Sequence, residues 1–98
     1  MKNKLKFSKE AKLEFDEAIN YYNSEKLGLG DRFKSEIKFS INNILKFPNL
    51  YPKVQNEVKK CVTHTFPFTI FYKIKDETIY ILAIANHHKN PSFYSKRF

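Results

Sequence analysis

Two segments in the second half of this 98-residue chain decide what it can fold into. Phe66–Ile74 and Thr78–Ala85 are rich in β-branched and aromatic residues and lie either side of the polar pair Asp76-Glu77. Strand-rich runs about a short polar break predict a β-hairpin. Both faces of this hairpin carry apolar side chains, so a second layer must cover at least one of them. The first half of the chain is built to supply that layer.

Lys2–Phe7 alternates Leu5 and Phe7 with lysines, the pattern of a short edge strand. Ser8 offers an N-cap for a helix running from Lys9 to Ser24. Ala11, Phe15, Ala18, Ile19 and Tyr22 recur there at helical spacing, with Glu10, Lys12, Glu14, Asp16 and Glu17 on the remaining surface. Gly28-Leu29-Gly30 holds the only two glycines of the chain, and the helix is expected to stop and turn there. Asp31 is placed to cap a second helix, Arg32 to Lys46, striped with Phe33, Ile37, Ile41 and Ile44 and ended by Pro48. So short a connection predicts an antiparallel helical hairpin. A loop over Asn49–Asn56, held by Pro52, leads to a further strand at Val58–Thr65. The fold class is α+β, in the order β-α-α-β-β-β. One domain over residues 1–98 is expected, a small antiparallel or mixed sheet with the helical hairpin on one face.

Cys61 is the single cysteine, which excludes an internal disulfide and fits a reducing, cytoplasmic setting. The basic start, Met1–Phe7, is not followed by an apolar stretch, and the longest apolar run, Ile79–Ala85, is far too short for a membrane span. Neither a signal sequence nor a membrane association is expected. The net charge of +8 is unevenly spread. Residues 1–25 balance five acids against five lysines, whereas Val58 onward sets seven Lys/Arg against Asp76 and Glu77 alone. No acid follows Ala85. Basic charge gathered on one part of a fold attracts polyanions or an acidic protein.

Adjacent His87 and His88 point to opposite sides of an extended segment, and no third ligand stands at metal-binding spacing, so no metal site is expected. Two glycines cannot make a phosphate-cradling or dinucleotide-binding loop, and no cofactor is expected. Cys61, inside a strand, reads as a buried inert thiol. What remains is the set Lys59, Lys60, His64, His87, His88, Lys89, Tyr94 and Arg97. Cleavage of RNA through its 2′-hydroxyl needs a base, an acid and a cation, and this set holds all three types. Phe93 and Tyr94 serve equally well as anchors holding the tail to the sheet.

Four stretches in order, EFDEAINYYNSEKLGLGDRF, KFPNLYP, KKCVTHTFPFTIFYKI and ILAIANHHKNPSFYSKRF, make the chain resemble the RelE/ParE superfamily of bacterial type II toxin–antitoxin toxins over nearly its whole length. The resemblance implies a small sheet with a packed helical hairpin. It also implies a partner, a small acidic antitoxin winding over the toxin surface, with Phe68, Phe71, Tyr72 and Tyr80 as candidate contacts. RelE-like members cleave mRNA on the ribosome; ParE-like members, which the Gly-Leu-Gly turn and Phe-Pro-Phe strand resemble more closely, poison DNA gyrase. By resemblance Lys60, His87, His88 and Tyr94 are the candidate catalytic residues, and Lys59, Lys89, Lys96 and Arg97 the candidate RNA-phosphate contacts. The departure from the family is arginine depletion, with only Arg32 and Arg97 present. Lysine lacks the bidentate fork that clamps phosphate. The expectation from sequence leans to an endoribonuclease acting on ribosomal mRNA. Gyrase inhibition, or a non-toxic member that only binds its antitoxin, stands as the alternative.

Overall fold

The computed structural model describes residues 4–90 and 92–98. Strand β1 (Lys4–Phe7) leads into α1 (Lys9–Glu25) and α2 (Leu29–Lys46), and four strands follow: β2 (Lys53–Gln55), β3 (Val58–Val62), β4 (Phe68–Lys75) and β5 (Thr78–Asn86). A four-residue helix, α3 (Ser92–Ser95), closes the chain. The sheet order is β1-β5-β4-β3-β2, with β1 parallel to β5 and every other pair antiparallel. It is the expected α+β arrangement of a helical hairpin on a mixed sheet. The start of the expected first strand, Lys2 and Asn3, lies outside the described residues.

Ser8 caps α1 as expected, its hydroxyl accepting from the Ala11 N–H. Asp31 does not cap α2. The helix begins three residues before the expected Arg32, at Leu29, from a left-handed Gly28 (φ 88°), and Asp31 sits in its first turn. The missing cap is supplied across the hairpin, where Asn23 Oδ1 accepts from the Gly30 N–H at 2.7 Å. A free N–H at a helix start needs an acceptor, and here the preceding helix provides it. Gly30 is also the point of closest approach between the helices, since a Cβ there would run into the Ile19 carbonyl and the Asn23 side chain.

The main core lies between the helices and the sheet. Phe15, Phe33, Ile37 and Ile44 meet Ile70, Tyr72, Ile79, Ile81 and Ile84, and the Phe33 ring contacts those of Phe66 and Phe68. Tyr72 is wholly buried and donates its hydroxyl to the Pro48 carbonyl at 2.8 Å. A second, smaller core on the outer face joins Ala83, Ala85 and Tyr94 to Phe71 and Phe98. The hairpin is therefore covered on both faces, by the helices and by the C-terminal tail.

Two elements differ from the sequence expectation. The loop before β3 contains β2, all three of whose residues are exposed. The strand expected to reach Thr65 stops at Val62, because Thr63 turns its hydroxyl onto the carbonyls of Phe66 and Phe68. Both hairpin turns, Asn56-Glu57 and Asp76-Glu77, place two consecutive residues at positive φ, the geometry of a two-residue hairpin loop.

Gly30→Ala is expected to destabilise the protein by about 1–3 kcal/mol through overpacking against backbone. Gly28→Ala, where a Cβ meets open space, should cost only the left-handed strain of about 1 kcal/mol. Urea unfolding of the two variants measures the difference, and equal losses would contradict the close approach at Gly30.

Candidate functional site

Strand β5 is paired on both sides only over its first four residues. Strand β1 flanks Thr78 to Ile81, and among the described residues no strand neighbours the outer edge of β5 beyond Ile81. Unpaired backbone groups on such an edge need other partners. The register shift opposite Phe71/Tyr72 leaves Leu82 as an extra residue, since Phe71 pairs with Ala83 and Tyr72 with Ile81. The Leu82 carbonyl accepts from the Ser8 hydroxyl at 3.2 Å and from Arg97 at 3.3 Å. Next along the edge, the Ile84 N–H donates to Glu14 Oε1 at 3.0 Å. At the end, the Asn86 N–H donates to the Tyr94 hydroxyl at 3.3 Å.

Glu14 and Arg97 complete this edge as a bidentate ion pair, with contacts of 2.7 and 3.1 Å. Both side chains are largely buried, at 17% and 21% exposure. The hydrogen bonds it donates to Glu14 hold the Arg97 guanidinium pKa above its ordinary value. Burial likewise pushes the Tyr94 phenol up. Side chains 83 residues apart thus tie the tail to α1 across an open strand edge.

The sequence-predicted residues are not gathered into one constellation. Tyr94 is buried against Ala83 and Ala85 and anchors the tail. Arg97 is engaged by Glu14. Lys59 faces the helices, buried, and donates to the Tyr51 carbonyl at 3.2 Å. Lys60 is exposed on the outer face, opposite Phe71. His87 is exposed, with Nε2 at 2.7 Å from the Thr69 hydroxyl. His88 is exposed in the following turn, and Lys89 stands over the Phe93 ring at 4.8 Å. Lys96 and His64 are exposed. Among the described residues no trio of His, Cys, Asp or Glu is placed to hold a metal ion.

Of the aromatic residues expected to meet a partner, Phe68 and Tyr72 lie in the main core beneath the helices, where no partner reaches them. Phe71 and Tyr80 are half-buried on the outer face. Sequence reasoning missed Glu14, Leu13 and Tyr21. These three, with Phe93, Lys89 and Arg97, line a cleft of about 420 Å³ between α1 and the tail. Leu13, Tyr21 and Phe93 are each more than half exposed. The only advance signal was their position on the polar face of α1, where Leu13 and Tyr21 are out of place.

The chain is thus a helical hairpin on a β1-β5-β4-β3-β2 sheet, with a tail bound to the outer face. The sequence matches the model of the ParE toxin of the parDE type II toxin–antitoxin system over residues 5–91, and the chain belongs to that family. Among solved structures it is similar to a chromosomal ParDE toxin–antitoxin system from P. aeruginosa, at TM-score 0.76 and 18% identity, covering 86% of this chain and 95% of that one. It is also similar to a free-state mutant of the E. coli toxin RelE, at TM-score 0.65 and 15% identity, covering 100% and 99%. No curated protein matches the sequence.

Removing either half of the ion pair leaves the other charge largely buried without its partner. Glu14→Ala and Arg97→Ala should each cost about 2–3 kcal/mol. A double-mutant cycle should return a coupling of about 1–3 kcal/mol. Additive losses in denaturant unfolding would show that the pair does not hold the tail.

Proposed function

We propose that this chain is a growth-inhibiting toxin that acts by binding a protein target, DNA gyrase, and is neutralised by a small acidic antitoxin. One observation carries the choice of binding over RNA cleavage. Tyr94 and Arg97, the acid and the phosphate clamp that a nuclease of this fold would draw on, are both engaged in holding the tail. A buried phenol with a raised pKa is a poor proton donor, and a guanidinium bound to a carboxylate is not free to meet a phosphorane. Membership of the ParE family supports the same target. The exposed Leu13, Tyr21 and Phe93 offer the apolar surface that a protein contact requires, more so than Phe68 and Tyr72.

The experiment is a supercoiling assay with purified gyrase. Added toxin is expected to inhibit supercoiling, and pre-incubation with the antitoxin to restore it. Unchanged supercoiling at saturating toxin, in a preparation that arrests growth when expressed, would overturn the reading.

Cleavage of mRNA is the second reading, favoured by one feature of the outer face. Thr69, which touches His87, stands on the same side of the sheet as Lys60, leaving a proton-transfer group and a cation facing solvent together. If that face cuts RNA, primer extension in a purified translation system should show ribosome-dependent cuts. Those cuts should weaken about 10²-fold or more in His87→Ala and Lys60→Ala. They should persist in Tyr94→Phe, whose hydroxyl lies inside the fold.

A further inference from the structure

The end of the outer face away from the tail carries a feature that neither reading uses. Lys4 pairs with Thr78 and Thr78 with Lys75, while Lys6 pairs with Tyr80 and Tyr80 with Lys73. Strand β5 therefore brings two lysines from β1 and two from β4 into parallel rows. Their neighbours Phe7, Ile74, Ile79 and Ile81 pack towards the helices, so alternation sends all four lysines outward. Residues two apart on a strand are about 6.7 Å apart, and two strand spacings are about 9.6 Å. The Cα positions of the four lysines thus mark the corners of a rectangle of about those dimensions, with Tyr80 half-buried between Lys6 and Lys73.

None of the four belongs to an ion pair among the described residues. Asp76 and Glu77 lie in the β4–β5 turn at the end of the rows, where the Glu77 carbonyl accepts from the Lys4 N–H. Four lysines on neighbouring positions of one sheet face repel one another, and an anionic ligand relieves that repulsion.

We infer that this rectangle is a platform for the phosphodiester backbone of a nucleic acid. The choice against an acidic protein rests on what the rows lack. Protein interfaces are depleted in lysine and depend on buried aromatic or aliphatic anchors. Here the two rows hold only Thr78, which is buried, and Tyr80, which is half-buried. Phosphate contacts, by contrast, need regularly spaced cations and little else. Lysine is a point charge without arginine's fork, so the platform holds a backbone without reading its sequence. The site is distinct from the Lys60–His87 region and does not depend on which target the toxin attacks.

The test uses the purified full chain and fluorescence anisotropy with labelled duplex DNA and single-stranded RNA, each about 20 nucleotides long, between about 50 and 200 mM salt. The wild type should bind with a log–log salt slope of about −3 to −4 on duplex, for four phosphates neutralised, and somewhat less on single strands. The variant Lys4→Gln/Lys6→Gln/Lys73→Gln/Lys75→Gln should lose more than about 10-fold in affinity and most of that slope. A control with the same loss of charge on the helical hairpin, Lys9→Gln/Lys26→Gln/Lys34→Gln/Lys38→Gln, should stay within about threefold of wild type. The two double variants, Lys4→Gln/Lys6→Gln and Lys73→Gln/Lys75→Gln, should each reduce the slope by about 2, which keeps the test intact if the fourfold variant does not fold. Whichever nucleic acid shows the quartet-dependent slope is the source of the backbone. Equal losses in the quartet and control variants would overturn the inference. So would salt-independent binding, or binding of a polyglutamate peptide at the quartet with neither nucleic acid bound.

Discussion

The structure depends on how the open edge of β5 is closed. Over its first four residues this strand has neighbours on both sides; from Leu82 onward it has β4 alone. A bare strand edge inside a small fold leaves polar backbone without partners and invites other chains to pair with it. The chain solves this with side chains drawn from opposite ends of its sequence. Ser8 and Glu14 come from the start of α1, and Tyr94 and Arg97 from the tail. The bulge at Leu82 turns a carbonyl towards two of these donors at once. Helix α1 and the tail are therefore fixed to the same strand edge.

That solution decides which chemistry remains open. A partly buried ion pair is weak evidence of net stability when weighed against an apolar replacement, but it is strongly selective for one arrangement of its partners. Glu14 accepts from Arg97 twice and from the Ile84 N–H once, so the carboxylate joins the tail, the helix and the strand. The Tyr94 ring fills the outer core while its hydroxyl meets Asn86. Both groups are thereby committed to holding the tail in this arrangement. The polar groups that stay in solvent are Lys60, His87, His88 and Lys89 and the lysines of the outer face.

The sequence showed most where the determining pattern was local. Helical spacing from Ala11 to Tyr22 and from Phe33 to Ile44, and the polar break at Asp76-Glu77, are read within a few residues, and the helices and hairpin follow. It showed least where a partner comes from far away. The start of α2 depends on Asn23, seven residues back, so local capping preference pointed to Asp31 instead. Strand β2 is three exposed residues and has no burial pattern to detect. The Glu14–Arg97 pair spans 83 positions, and no periodicity announces it. Tyr94 was read equally as site and as anchor, because a lone aromatic in a basic tail carries no sign of which face it meets.

The two surfaces left over lie at opposite ends of β5, and the strand period explains their difference in character. Near Thr78 the flanking strands β1 and β4 alternate lysine with apolar residues, so packing Phe7 and Ile74 against the core necessarily turns Lys4, Lys6, Lys73 and Lys75 to the other side. A one-residue slip in either strand would place its lysines against the core, so the register that buries the apolar set also fixes the charges. Near Asn86 no strand flanks β5, and the edge is covered by a helix and a tail whose outward side chains include Leu13, Tyr21 and Phe93. The first surface attracts anions at long range and with little shape selectivity; the second has apolar area to bury in a fitted contact. Because they do not overlap, a polyanion on one and a protein on the other can be held by the same molecule at the same time.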